Sequence, residues 1–128
     1  MKTEDLRRLL ADHVVVTDGA MGSELLQRLP EGSRLDLAVH EHPQAVLDIH
    51  LAYIEAGAEL IETATFGSSR PRLERGRAGQ LTETVNAAAV KLAREAREIS
   101  GRDILVAGSI GPLAGVLDLD EPGGLAAI

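Results

Sequence analysis

The chain lacks two residue types on which many binding sites depend. Its 128 residues include no cysteine and no tryptophan, and aromatic residues make up only 2%. Without cysteine the chain can form no disulfide and offers no thiolate to a metal, which fits a reducing compartment and predicts a cytoplasmic protein. With so few aromatic residues, the core must be built from aliphatic side chains.

Positive charge is also scarce. The formal net charge is −7, and phosphate backbones require a concentrated positive surface, so we expect no nucleic-acid partner. Charged residues recur through the first thirty positions, which argues against a signal peptide, a spanning segment and a membrane partner. Among them are Arg7, Arg8, Asp12, Asp18 and Glu24.

Three short apolar segments each end in small polar residues and glycine. They begin at Val14, Leu60 and Ile104. Strands that are buried on both faces have such continuous aliphatic sequences, and the chemistry of an α/β barrel lies at the C-terminal ends of its strands. We therefore predict three parallel neighbouring strands in chain order. They are predicted at 14–17, 60–65 and 104–109, with Asp18, Thr65 and Ser109 at one edge.

Helices are predicted between these strands. In the clearest one, Thr82–Ser100, apolar residues fall on one face and charges on the other, and Gly101 is its expected cap. A second helix begins at Pro43 and closes at Gly57, because proline suits a first helical position. A third covers residues 21–29. Loops are predicted at 67–79 and 111–124.

Four motifs follow one another along the chain: Asp-Gly-Ala-Met-Gly at 18–22, a helical segment at 49–59, Thr-Ala-Thr-Phe-Gly at 63–67 and Ala-Gly-Ser-Ile-Gly-Pro at 107–112. In order and spacing they resemble the N-terminal part of the homocysteine S-methyltransferase family. That family includes the homocysteine-binding domain of methionine synthase and the betaine-dependent enzymes. The resemblance extends from about Val14 to Leu117.

The resemblance implies a (β/α)8 barrel of TIM type that binds homocysteine at the C-terminal ends of its strands and methylates it to methionine. It also implies zinc, held by three cysteines from later strands, which keeps the substrate thiol deprotonated. Residues 1–128 should then form the first three βα units, an incomplete α/β barrel domain truncated before the zinc-ligand half. The methyl donor stays open.

An incomplete barrel has consequences for activity and assembly. We expect the isolated chain to be inactive and to need the missing C-terminal half of the barrel as its partner. Open sheet edges would favour self-association, with apolar surface left at Ile61 and Val106. A stand-alone binding or assembly module without catalysis is the alternative function.

Substrate contacts are implied by the resemblance at the end of the first strand. Asp18 resembles the family's carboxylate that meets the homocysteine ammonium group. The N–H groups of Gly19 and Ala20 would receive the substrate carboxylate. A turn or an N-cap before the next helix is the alternative role for Asp18.

The ends of the second and third strands would complete the pocket. Thr63 and Thr65 would offer hydroxyl groups, and Phe66 an apolar wall. Ser109 would leave room for backbone to approach the ligand. Alternation adds a constraint: if Glu62 points into the barrel, Phe66 shares its face and both threonines turn away. The threonines are then ordinary strand formers, unless the strand end bends.

Other polar residues have competing explanations. His40 and His42 have a spacing found in metal sites, with no third ligand nearby in sequence. His50 lies on the apolar face of its helix, so we expect it to be packed and hydrogen-bonded. A basic run could meet a phosphate or a folate tail, or be solvated and paired with acidic neighbours. It comprises Arg70, Arg72, Arg75 and Arg77.

Overall fold

The computed structural model describes residues 3–113, which form six α-helices and a small parallel sheet. In chain order these elements are α1 (Thr3–Asp12), α2 (Gly22–Arg28), α3 (Ala38–Glu41), α4 (Pro43–Glu55), β1 (Leu60–Glu62), α5 (Arg70–Arg75), α6 (Thr82–Ser100) and β2 (Leu105–Ala107). Single 3₁₀ turns at Leu35–Leu37 and Gly79–Leu81 lead into α3 and α6. The predicted loop at 111–124 falls, beyond Leu113, outside the described residues.

The sheet has the predicted direction and order. β1 and β2 are parallel, with Ile61 opposite Val106. Thr17 forms an isolated parallel bridge to Leu60 on the other side of β1. The order is therefore the 14–17 segment, then β1, then β2, as predicted. Within the described residues, however, the sheet proper has only two strands.

The first predicted strand is reduced to that single bridge. The carbonyl of Val16 accepts from the N–H groups of Glu59 and Leu60 at 2.8 and 3.3 Å, so pairing is present on the β1 side. The apolar side chains of the segment are left in solvent, with Val14 84% and Val16 54% exposed. A strand with a neighbour on one side only and little burial has little to keep its backbone extended.

β1 is also shorter than the predicted 60–65 strand because the chain turns at its end. The N–H of Thr65 donates to the carbonyl of Thr63, two residues back, at 2.8 Å. That local hydrogen bond replaces a ladder bond and bends the backbone out of the sheet. The residues after β1 are thereby directed over the sheet end rather than along it.

The helix predictions agree well with the structure. α6 covers the predicted residues, and Gly101 ends it in the left-handed conformation at φ 67°. α4 begins at Pro43 as predicted and ends at Glu55. α2 occupies most of the predicted 21–29 segment. The strong helical spacing of apolar residues, with a proline at one end and a glycine at the other, explains this success.

α4 and α6 pack against one face of the sheet and form the core with it. Ile54 on α4 and Val85 and Ala89 on α6 are fully buried. Ile61 is also fully buried in this cluster, so the expectation that it keeps apolar surface was wrong. The helices already cover its face of the sheet, and exposed large apolar side chains lie elsewhere, among them Val14, Val16 and Ile110.

The predicted 67–79 loop contains a helix that its polar composition concealed. α5 follows Ser69, has Pro71 in its first turn and anchors the fully buried Leu73. One apolar residue in a basic run is a weak periodic signal, so the helix is specified by tertiary burial. None of the described helices combines the length and the apolar character that crossing a bilayer requires.

Candidate functional site

A cavity opens where β1, β2 and the Thr17 segment end, and we call it the strand-end cavity. Its volume is about 470 Å³, within the range of small-molecule sites. All but one of the predicted site residues line it: Asp18, Gly19, Ala20, Thr63, Phe66 and Ser109. The exception, Thr65, lines a neighbouring side cavity of about 430 Å³, which Ser68 and Ser109 also border. The structure thus brings together residues from three separate strand ends.

Asp18 is held in place by the backbone of β1. Its N–H donates to the carbonyl of Leu60 at 3.0 Å, and its carboxylate Oδ2 accepts from the N–H of Glu62 at 2.9 Å. Partial burial raises the pKa of Asp18, while the Glu62 N–H acts in the opposite direction. A carboxylate that is incompletely solvated gains most from a cationic partner. Asp18 is therefore oriented and electrostatically suited to an ammonium group.

The N-cap alternative for Asp18 does not describe this structure. α2 begins after Met21, and no side chain caps its N-terminus. The Asp18 carboxylate instead makes its backbone hydrogen bond to Glu62, which is 44 residues away. Its role is tertiary: it ties the end of the first predicted strand to β1.

The loop after Asp18 presents backbone donors next to this carboxylate. Within residues 3–113, no acceptor pairs with the N–H groups of Gly19 and Ala20. The carbonyl of Ala20, in contrast, accepts from the Tyr53 hydroxyl at 2.8 Å. Unpaired backbone N–H groups are able to bind an anion, and an adjacent carboxylate is able to bind a cation.

Thr63 and Thr65 follow the alternation expected from the sequence. Both are buried, 4% and 7% exposed, together with Ile61, whereas Glu62 and Phe66 are exposed. Their hydroxyl oxygens lie 2.7 Å apart. Because Thr65 Oγ1 donates to the Ser109 carbonyl at 2.6 Å, it must accept the proton of Thr63.

The third contact closes this hydroxyl network. The N–H of Ser109 donates to Thr63 Oγ1 at 3.2 Å. Both threonine protons are thus used inside the protein, and each hydroxyl retains only acceptor capacity. The network ties the end of β1 to the chain that follows β2, which fixes one wall of the strand-end cavity.

Phe66 provides an apolar wall and has two close neighbours. The guanidinium of Arg72 lies 5.6 Å from its ring centroid, a cation–π distance. A Cβ atom on Gly111 would lie 2.1 Å from the Phe66 carbonyl oxygen, so only glycine permits this approach. The predicted basic run does not act as one group, because Arg72 stacks on Phe66 while Arg70 borders the side cavity.

Sequence reasoning missed a third carboxylate in the strand-end cavity. Asp36 lines the cavity beside Asp18 and Glu62. Arg34 binds Asp36 through two hydrogen bonds, Nε–Oδ1 at 3.1 Å and Nη2–Oδ2 at 2.7 Å, and also donates to the Gly76 carbonyl at 2.8 Å. The contact between Arg34 and the Gly76 carbonyl joins segments that are 42 residues apart. No local sequence pattern could have predicted that contact.

The described residues do not fit a zinc site. Zinc requires three or four thiolate, imidazole or carboxylate ligands. The chain has no cysteine, and no three histidine, aspartate or glutamate side chains in residues 3–113 come together around a possible ion. His40 is exposed, and His42 directly precedes α4.

His50 is packed as expected, but the expected hydrogen bond was wrong. The side chain is fully buried on α4, and neither ring nitrogen has a partner. Burial lowers the pKa of His50 to about 4. It is therefore a neutral core residue, separate from the strand-end cavity.

The family model described as homocysteine S-methyltransferase matches residues 15–127. This chain belongs to the homocysteine S-methyltransferase family. Among curated members it is 39% identical over 108 residues to S-methylmethionine–homocysteine S-methyltransferase BHMT2 of Pongo abelii. It is 38% identical over 110 residues to betaine–homocysteine S-methyltransferase 1 of Danio rerio.

These alignments cover 82% of the chain but only 28% and 27% of the two relatives. The chain therefore spans little more than a quarter of their length.

Solved structures agree with the family assignment. The metallated form of the homocysteine methyltransferase MmuM from Escherichia coli superposes with a TM-score of 0.71 at 30% identity, covering 87% of this chain and 42% of that one. The oxidized form of the same enzyme gives a TM-score of 0.73 at 29% identity, with coverages of 92% and 44%. This homocysteine S-methyltransferase family member is thus an α/β chain that matches part of a solved methyltransferase.

Proposed function

We propose that this chain forms the part of a homocysteine S-methyltransferase barrel that holds the amino-acid end of homocysteine. The observation that carries the proposal is Asp18, whose carboxylate is fixed by the Glu62 N–H at the border of the strand-end cavity. One carboxylate oxygen is committed to the backbone, and the group retains capacity to accept from a substrate ammonium. Such a charge-assisted hydrogen bond is stronger than a neutral one.

The rest of the substrate has complementary surroundings. The N–H groups of Gly19 and Ala20 are the donors for its carboxylate, since the two charged groups of an amino acid lie side by side. The methylene groups would pack against Phe66 and the aliphatic lining that includes Leu25 and Leu35. Thr63 and Thr65 act on the cavity wall through Ser109 rather than by donating to substrate.

The charge of the cavity also supports a class of methyl donor. Of the three carboxylates that line it, only Asp36 is neutralised by an arginine, Arg34. A cavity with excess negative charge favours cationic ligands. One of these relatives is named for S-methylmethionine, a sulfonium compound, and the other for betaine, a quaternary ammonium compound. We therefore propose an onium donor, with methionine as a product.

Thiol activation requires residues beyond those described here. In the family, zinc would lower the pKa of the homocysteine thiol and hold it as a thiolate, and the described residues provide no ligand set for zinc. We propose that this segment is the first part of an incomplete (β/α)8 barrel. On this account further strands, with the zinc ligands, complete it, and the 128-residue chain alone binds amino acid without methylating it. The exposed Val14–Val16 edge supports this proposal, since added strands would cover it.

Calorimetric titration of the chain with L-homocysteine tests the proposal. Asp18→Asn keeps an oxygen for the Glu62 N–H but removes the charge, so it should weaken binding tenfold or more. Asp48→Asn is the matched control, because Asp48 is exposed on α4 and its carboxylate accepts from Gln44 one helical turn earlier. Equal affinities for the two variants, or no binding by the unmodified chain, would contradict the assignment.

The pH dependence has a defined sign. Because the folded-state pKa of Asp18 is raised, its contribution to stability is greatest in the protonated state and is lost as pH rises through that pKa. Asp18→Asn should therefore leave the fold as stable at neutral pH, or more so, while it loses the ligand. Binding of homocysteine should weaken as pH falls through the same pKa.

A further inference from the structure

The loop that would hold the substrate carboxylate has little support from the sheet. It follows a segment that forms only one bridge, and Gly19 and Ala20 are themselves exposed. Its first residue, Asp18, is fixed by two hydrogen bonds to β1. Two residues later, the side-chain contact that holds the loop is the Tyr53 hydroxyl, which donates to the Ala20 carbonyl at 2.8 Å.

Tyr53 projects from a rigid element. It lies on α4, and the neighbouring Ile49 and Ile54 are 1% and 0% exposed in the core. Tyr53 itself is partly buried and packs against that core without lining the strand-end cavity. A hydrogen bond from a well-packed helix restrains the position of an exposed loop relative to the core.

Because Gly19 has no side chain, the Tyr53 ring can approach the loop closely. A Cβ atom at position 19 would lie 2.9 Å from the Tyr53 hydroxyl oxygen and 3.2 Å from ring atom Cε1. Any other residue would push the ring or the loop away. The pair therefore sets the distance between α4 and the loop, and the hydroxyl sets the direction of the Ala20 carbonyl.

We propose that Tyr53 is a positioning residue, which holds the Asp18–Ala20 loop so that its N–H groups and the Asp18 carboxylate meet the two charged groups of homocysteine together. The inference rests on the proposed function, since it assigns the same loop to the same substrate. It adds a residue that contacts no ligand and lies on a helix 33 residues further along the chain. Burial, followed by the charges of Glu24 and Asp18, raises the pKa of Tyr53, so its hydroxyl keeps its proton through the physiological range.

Tyr53→Phe removes only the hydroxyl and tests the proposal without ligand first. Amide hydrogen exchange followed by NMR should show faster exchange at Asp18, whose N–H donates to the Leu60 carbonyl, and at Glu62, whose N–H donates to Asp18 Oδ2. The control is Ser33→Ala, which deletes another side-chain hydrogen bond to a carbonyl, that of Pro30 at 2.6 Å, in a turn whose Ser33 does not line the strand-end cavity. Unchanged exchange at the loop in Tyr53→Phe would overturn the inference.

Affinity for L-homocysteine provides the second measurement. If binding requires the ordered loop, loss of a net hydrogen-bond contribution of about 0.5–1.5 kcal/mol corresponds to about two- to twelvefold weaker binding in Tyr53→Phe, and the unfolding midpoint should fall by no more than the same contribution allows. Gly19→Ala, which presses on the ring from the other side, should give a loss of similar size. Ser33→Ala should bind as the unmodified chain does.

The chain has one tyrosine and no tryptophan, so an ultraviolet difference spectrum follows Tyr53 at neutral pH, where homocysteine keeps its ammonium charge. Because the hydroxyl is coupled to the loop, bound homocysteine should shift the absorption of Tyr53. A purely structural tyrosine would absorb identically with and without ligand, and that result would overturn the inference.

The two proposals fail differently. A chain that binds homocysteine equally well with tyrosine or phenylalanine at position 53 overturns the positioning role and leaves the proposed function intact. An unmodified chain that binds no homocysteine contradicts the proposed function, and the positioning role with it.

Discussion

The helix-covered face of the sheet and the edge formed by the first predicted strand contain similar residues in opposite environments. Ile54 and Ile61 are fully buried, whereas Val14 and Val16 are 84% and 54% exposed. All four are β-branched aliphatic residues in apolar segments. The difference shows that an apolar composition alone does not bury a segment. Burial also requires a neighbouring strand or helix that covers it.

The strand-end cavity lies at the boundary between these two regions. One wall is fixed by the hydroxyl network of Thr63 and Thr65 and by contacts to β1. The other is the Asp18–Ala20 loop, which continues from the exposed edge and depends on Tyr53 for support. A site divided in this way is open to ligand on its less stable side.

The comparison predicts its largest contrast for truncation to alanine in the two regions. Ile54→Ala removes a fully buried side chain between α4 and the sheet, and large-to-small changes in a core cost about 2–5 kcal/mol. Val14→Ala, on the edge, shortens a side chain that is 84% exposed, so its cost should stay within about 0.5 kcal/mol. Urea unfolding of the two variants measures both. Comparable losses would show that the edge is as well packed as the core.

His50 makes the helix-covered region sensitive to acid. Its folded pKa of about 4 lies below the unfolded value of 6.5, so its contribution to stability is lost as pH falls from 6.5 toward 4. The loss between pH 7 and pH 4 should reach roughly 3 kcal/mol. In His50→Leu this part of the pH dependence should disappear, and removal of two unpartnered ring nitrogens should stabilise the fold at pH 7. Identical pH profiles for the two proteins would contradict the buried, neutral state.

The Phe66 wall predicts an effect of intermediate size. Gly111→Ala places a Cβ atom against the Phe66 carbonyl, and such overpacking costs about 1–3 kcal/mol. It should also displace Phe66 and weaken homocysteine binding. Gly108→Ala is the matched control, because a Cβ atom there meets nothing within 4 Å. Equal stability and affinity in the two variants would mean that Phe66 moves aside without an energetic cost.

The smallest effect on stability is expected for substitutions at the exposed edge. These substitutions should change the self-association of the chain instead. Val14→Lys combined with Val16→Lys should lower self-association in sedimentation experiments, because charge protects an unpaired edge. The free energy of unfolding should change by less than about 0.5 kcal/mol. The double change of the exposed Ala52 and Ala87 to lysine adds the same charge on α4 and α6 and should leave association unaltered. A monomeric unmodified chain would show that the edge needs no partner.

Local patterns predicted the longer helices α4 and α6, most of α2, and the clustering of the site. The bounds predicted for α6, about Thr82 to Ser100, agree with the structure because its apolar periodicity and Gly101 are local signals. Most of the predicted site residues share one cavity, since the ends of parallel strands meet. The contacts of Tyr53 with Ala20 and of Arg34 with Gly76 join segments 33 and 42 residues apart. No short-range pattern marks such pairs, so they required the fold.

Strand length was the least predictable feature, for a physical reason. The Val14–Thr17 segment has the composition of a buried strand, yet only Thr17 forms a bridge within the described residues. Strand propensity depends on neighbours on both sides and both faces, which a single sequence does not display. The end of β1 was overestimated for a related reason: the hydrogen bond from Thr65 to Thr63 bends the chain there.

The measurement that tests the central claim most directly is amide NMR of the ¹⁵N-labelled chain during titration with L-homocysteine. The account predicts that shifts concentrate at Asp18, Gly19 and Ala20 and at the facing Phe66 and Ser109. It also predicts that L-homoserine, which has the same amino-acid end and a hydroxyl in place of the thiol, produces nearly the same map. Shifts confined to the side cavity around Arg70 and Asn86, or no shifts at all, would contradict it.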